Sequence, residues 1–174
     1  MVNSLPPRST DRPIDGLSPS ILPARPDEAA ALSALAIRSK GHWGYDAEFL
    51  EACRDELTVD PDRIDSPAHR MAVARIGQVI AGYYSLERLG PQRWELNALF
   101  VDPAFIRRGI GSQLLAHALG GAQASGARSV KVQSDPDAEL FYRRAGAIPV
   151  GFEPSGSIAG RELPVLEFRL GRRP

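Results

Sequence analysis

An apolar run ending in Leu99-Phe100-Val101 is followed by Asp102-Pro103 and then by Arg107-Arg108-Gly109-Ile110-Gly111-Ser112, at the head of a segment that continues into Leu114 and Leu115. A strand, a turn and a helix start in that order bring backbone N–H groups without intrahelical partners to the positive end of a helix dipole. Such a place attracts phosphate. Gly109 and Gly111 remove the Cβ atoms that would keep a diphosphate off the main chain, Arg107 and Arg108 add full charges, and Ile110 and Ser112 add their N–H groups. The expected ligand is the pyrophosphate of a cofactor.

Spacing decides among the phosphate motifs. Walker-type loops need Gly-Lys followed by Ser or Thr, and the chain has no such triplet. The dinucleotide fingerprint needs a third glycine where the chain has Leu114. Neither nucleotide motif is therefore satisfied.

The elements that must position this loop can be read around it. With 174 residues and 43% hydrophobic residues, the chain suits one domain with a sizeable core. Residues 1–20 are rich in Pro, Ser, Asp and Arg and are expected to be a flexible tail, leaving 21–174 as a single domain. A short strand over 21–25 precedes Pro26-Asp27-Glu28, a helix-start signal before Ala31, Leu32, Leu35 and Ala36. Asp46 is expected to cap a second helix carrying Phe49, Leu50, Cys53 and Leu57 on one face. After an Asp/Pro-rich connection over 58–69, strands at 70–76 and 79–86 form a hairpin about Gly77-Gln78. A strand at 94–101, the long helix at 109–123, a strand at 129–133, a short helix at 138–144 and strands at 148–152 and 163–170 complete the order.

Composition excludes several classes. Twenty-one basic and twenty-one acidic residues cancel, so no overall field holds nucleic acid or an anionic membrane. The single Cys53 rules out an intramolecular disulfide and a thiol-zinc site, and on its apolar stripe it reads as core. His69 and His117 lack ligand spacing, so no metal is expected. No apolar run approaches the roughly 20 residues needed to cross a bilayer, and the N-terminal residues lack a signal-peptide apolar region. The expected location is the cytoplasm.

The pattern Val101-Asp102-Pro103, then Arg108-Gly109-Ile110-Gly111 and Leu114-Leu115, resembles the pyrophosphate loop of the GNAT superfamily of acyl-CoA-dependent N-acetyltransferases. The family pattern would put Gln or Arg at Ile106 and often Gly at Arg107. The segment Ala138-Glu139-Leu140-Phe141-Tyr142 through Gly146 resembles the family's Ala-x-x-Phe-Tyr-x-x-x-Gly, with the usual Asn replaced near Ser134-Asp135. The resemblance covers about 21–170. It implies an α/β (α+β) fold: a mixed, mostly antiparallel central sheet of about six to seven strands flanked by about four helices.

The resemblance also assigns roles. It implies acetyl-CoA as acyl donor and direct transfer to a primary amine of a small molecule, peptide or protein. Tyr142 would protonate the departing sulfur. Glu95 stands at the spacing before Arg108-Gly109 at which histone-acetylating members carry a general base. Its strand is expected to turn Glu95, Asn97, Leu99 and Val101 to one face and Trp94, Leu96, Ala98 and Phe100 to the other. Main-chain groups near Leu99 and Phe100, freed by a bulge, would meet the thioester carbonyl, and Val101 the pantetheine arm. His42, Trp43 and Tyr45, between the first two helices, and Tyr83 are the expected acceptor-side residues, with one of Tyr83 and Tyr84 buried. Relatives also suggest a homodimer. Two other readings stand beside it: a non-catalytic acyl-CoA-binding sensor, which the loop supports equally but for which Glu95 and Tyr142 have no use, and an interaction domain without coenzyme A affinity.

Overall fold

The computed structural model describes residues 18–171. The expected tail thus falls almost wholly outside the described residues, although Ser20 already belongs to the first strand. Strands β1 (Ser20–Pro23), β2 (His69–Ile76), β3 (Val79–Arg88), β4 (Arg93–Val101), β5 (Ser129–Gln133), β6 (Ile148–Pro154) and β7 (Glu162–Arg169) form one sheet in the order β1-β2-β3-β4-β5-β7-β6. Only the β4–β5 pair is parallel. Helices are α1 (Ala29–Gly41), α2 (Ala47–Ala52), α3 (Arg54–Leu57), α4 (Pro61–Ile64), α5 (Ile110–Ala124) and α6 (Glu139–Arg144).

Local chemistry sets most boundaries. Asp60, Asp102 and Asp135 each stand before a proline, and each carboxylate accepts a hydrogen bond from the backbone N–H two residues on. The proline has the right φ and no N–H to waste, so each pair opens a helical turn. Asp46 accepts from Phe49 N at 2.8 Å and starts α2 where expected, a cap worth about 1 kcal/mol. The second helix is nevertheless not continuous: the chain turns at Cys53, giving α2 and α3. Asp60-Pro61 also plants α4 in what reads by composition as a connection.

The sheet separates two apolar layers. One, beneath α5 and α6, contains Trp94, Leu96, Leu114, Val130, Tyr142 and Phe168. The other, beneath α1, contains Leu32, Leu35, Cys53, Val73 and Tyr83. Both Tyr83 and Tyr84 are buried, one in each layer, rather than one of them alone.

Candidate active site

Strand β4 changes face partway along. Ser85 pairs with Ala98 and Leu86 with Leu96, so Asn97 is an extra residue in the β4 ladder. A β-bulge of this kind reverses the side-chain alternation beyond it. Trp94 and Leu96 lie in the α5-side layer, and so do Leu99 and Val101, while Ala98 and Phe100 pack into the α1-side layer. The expected common face of Glu95, Asn97, Leu99 and Val101 is therefore corrected: Glu95 faces the α1 side with Ala98 and Phe100. The bulge itself falls at Asn97, two residues before Leu99.

Beside the bulge the sheet opens. Strands β4 and β5 pair only at Arg93↔Ser129, Trp94↔Val130 and Glu95↔Lys131. Beyond Glu95, β4 runs on to Val101 and β5 to Gln133 without partnering each other. A wedge-shaped gap results, with Glu95 and Lys131 at its apex. The last turn of α1 reaches both arms: Arg38 pairs with Asp102 beyond β4 at 2.7 Å, and Lys40 lies 3.8 Å from Asp135 beyond β5.

On the α5 side, the loop and the gap meet. Gly109 caps α5 at φ 75 and Arg107 also has a positive φ of 66, whereas Arg108 does not. Alternating handedness aims successive N–H groups toward a common point, an anion-binding arrangement. An L-residue at such a φ is strained, which explains why Gly is common there in the resembled pattern. No acidic side chain and no side-chain cap occupies the start of α5. The first intrahelical bond runs from Gln113 N to Gly109 O, so the N–H groups of Ile110, Gly111 and Ser112 precede the helical ladder. A Cβ placed on Gly111 would lie 3.6 Å from both Phe141 and Val101, so β4, α5 and α6 converge there. Arg108 stacks over Phe105 at 5.5 Å.

Tyr142 follows Phe141 and is 6% exposed, edge-on to Phe141 and Phe168. Burial disfavours its phenolate and raises its pKa well above that of an ordinary tyrosine. It stays a proton carrier across neutral pH. Its hydroxyl makes no hydrogen bond among the described residues.

The α1 side is built of side-chain pairs. Glu95 Oε1 lies 3.3 Å from Lys131 Nζ, which also meets Glu153 at 2.5 Å. Asn97 donates to Glu87 at 2.8 Å, and His69 Nε2 lies 3.9 Å from the same carboxylate. His42 and Trp43 are exposed on the α1–α2 connection with their rings edge-to-face at 5.6 Å. Tyr45 is not open in the same way. It stacks on Phe49 at 4.2 Å, its hydroxyl donates to Asp135 at 2.9 Å, and Arg161 donates to its oxygen at 2.8 Å. Burial and the Asp135 bond raise its pKa. Tyr83 lies buried beneath α1 beside Phe100, 5.8 Å between ring centroids.

Sequence reading did not single out Lys131, Asp135 as a latch, or Arg161. The first two had a signal, since Lys131 interrupts Val130 and Val132 on a strand and Asp135 stands where the resembled pattern has Asn. Arg161, in the β6–β7 connection, had none.

The family model described as "Acetyltransferase (GNAT) family" matches residues 36–147. The chain belongs to this family. Over 90 residues it is 39% identical to N-alpha-acetyltransferase RimI of Mycobacterium tuberculosis, covering 49% of this chain and 56% of that protein. An uncharacterized Mycobacterium leprae protein, ML0378, is 35% identical over 85 residues, covering 47% of this chain and 23% of the relative. The matches thus span about half or less of these relatives.

Solved structures share the fold. A GCN5-related N-acetyltransferase from Rhodopseudomonas palustris aligns with TM-score 0.71 and 24% identity, covering 88% of this chain and 98% of the other. PaiA N-acetyltransferase from Thermoplasma acidophilum, solved with coenzyme A, aligns at 0.71 with 18% identity over 88% of this chain and all of the other. The seven-stranded, mostly antiparallel GNAT sheet is as expected, with six helices among the described residues rather than about four. None of those helices is long and apolar enough to cross a membrane.

Proposed function

We propose that this chain transfers an acetyl group from acetyl-CoA directly to a primary amine, through the gap between β4 and β5. One observation carries the reading: the anion-attracting start of α5 and the Glu95 carboxylate lie on opposite faces of the sheet, and the gap joins those faces. When bound, acetyl-CoA supplies the activated acyl group. The backbone N–H groups of Gly109, Ile110, Gly111 and Ser112, with Arg107 and Arg108, hold the pyrophosphate. Leu99, Phe100 and Val101 line the β4 arm, whose unpaired edge offers main-chain groups to the pantetheine arm and the thioester carbonyl.

Glu95 takes the proton from an ammonium acceptor approaching from the α1 side, directly or through water. The neutral Tyr142 hydroxyl gives a proton to the departing thiolate. The chain's one cysteine, Cys53, does not stand as an acyl-accepting nucleophile, because it is buried beneath α1 with its thiol pushed up by burial. Transfer is therefore direct.

For the acceptor, the likeness to RimI supports a peptide or protein N-terminal amine over a small-molecule amine, with Trp43 and His42 at the entrance. The reading also includes a cytoplasmic location and a homodimer, the latter checked by sedimentation. The test is thiol release from acetyl-CoA against a panel: a free-amine tripeptide, the same tripeptide acetylated, lysine amide and an aminoglycoside. Turnover confined to the free-amine tripeptide supports the reading. Coenzyme A binding without turnover on any amine makes the chain a sensor instead.

A further inference from the structure

Glu95 does not stand alone at the apex of the gap. It belongs to a row of in-register residues crossing five strands: His69, Glu87, Glu95, Lys131 and Glu167. Lys131 faces the α1 side because Val130 and Val132 fill the other layer. Its ammonium touches Glu95 and, from β6, Glu153, and its in-register neighbours along the row include Glu167. The cations that α1 sends toward this face are committed elsewhere, Arg38 to Asp102 and Lys40 to Glu56 and Asp135. His69 faces Glu87, and Asn97 bonds it. Lys131 and Glu95 have side-chain exposures of only 13% and 21%, so water screens the pair less than a surface ion pair.

The Lys131 contact is to Glu95 Oε1. The pair is also the last rung of the β4–β5 ladder, so the ammonium fixes the carboxylate where the strands part. Burial alone would lower the lysine's own pKa, but the Glu153 hydrogen bond and the two carboxylates outweigh it and leave that pKa raised. Lys131 stays charged across neutral pH.

We propose that Lys131 is a positioning residue for Glu95, holding its carboxylate at the apex of the gap, where an acceptor amine would approach from the α1 side. The inference rests on the reading of Glu95 as the base, and goes beyond it by naming the group that holds that base in place.

The test is a kinetic double-mutant cycle with the free-amine tripeptide as acceptor. Lys131→Met should lower kcat about tenfold with the acetyl-CoA dissociation constant unchanged, and Lys131→Arg should restore it. In a Glu95→Gln background the same change should lower kcat no further, because the group it positions is gone. Should the methionine variant fail to fold, Lys131→Gln carries the same expectation. A kcat unmoved in a folded neutral variant, or lowered equally in the Glu95→Gln background, overturns the proposal, because a merely structural tie would lower the melting temperature whichever residue stands at position 95. The base reading fails separately: its failure is a Glu95→Gln variant that turns over the tripeptide as fast as the parent.

Discussion

At the start of α5 the groups that face the gap are backbone N–H atoms and glycines, with no acidic side chain in the first turn. Across the sheet the gap is bordered by side chains already engaged with one another: Glu95 with Lys131, Asn97 with Glu87, and Tyr45 with Asp135 and Arg161. A donor common to a whole family can be held by backbone geometry, which depends little on side-chain identity. An acceptor is told from other amines by side chains, and each must be held by neighbours from distant parts of the chain. The difference teaches why the donor side has a short sequence signature and the acceptor side has none.

The sharpest break of this comparison is Glu95→Gln. It should lower kcat about 100-fold, in line with removal of a general base, with acetyl-CoA affinity unchanged in the same preparation. A loss of acetyl-CoA binding would mean that the two faces are not separate in function. Tyr142→Phe should cost less, about tenfold in kcat, because it removes the proposed proton donor to a good leaving group and keeps the packing against Phe141 and Phe168. An unchanged rate across pH removes Tyr142 from the mechanism.

Tyr45→Phe sharpens the comparison from the acceptor side. The ring keeps its stack on Phe49, while Asp135 and Arg161 lose the hydroxyl between them. The expected cost is about 1.5 kcal/mol of stability, with a raised acceptor KM and the same acetyl-CoA dissociation constant. A shift confined to acetyl-CoA binding would assign the latch to the donor side.

The buried phenols predict how the folded state responds to alkali. Burial raises the pKa values of Tyr83, Tyr84 and Tyr142, that of Tyr84 to about 12. The unfolded chain ionises these groups near the ordinary value of about 10, so their contribution is fully present below that pH. It is lost as the pH rises through the folded values. Denaturant melts should show stability falling above pH 10, by up to about 1.4 kcal/mol per pH unit for each phenol. A flat profile to pH 11.5, beyond about one unit above the unfolded value, would show that these hydroxyls are more exposed than the packing indicates.

Much of the fold was legible because local rules agree with it. Asp-Pro pairs open helical turns, Gly77 closes the β2–β3 hairpin at φ 60, and alternation marks β5. The turn into α5 at Gly109 was legible for the same reason, its residues being contiguous in sequence. What escaped depends on partners far along the chain. The bulge at Asn97 is fixed by how β3 and β4 register, so the faces of β4 could not be read from β4 alone. The break at Cys53 is not marked by Gly or Pro. The Tyr45 latch joins residues 90 and 116 positions apart, beyond the reach of any local pattern.

Calorimetric titration with acetyl-CoA, on the parent protein and on Gly111→Leu, tests the central claim most directly. A leucine at Gly111 would push against Phe141 and Val101, where α5, α6 and β4 meet. Saturable binding of acetyl-CoA and coenzyme A by the parent, none of a nicotinamide dinucleotide, and a dissociation constant at least about tenfold higher in a folded Gly111→Leu are the expected results. Parent protein that binds no coenzyme A, or a folded variant that binds it as tightly as the parent, would contradict the account.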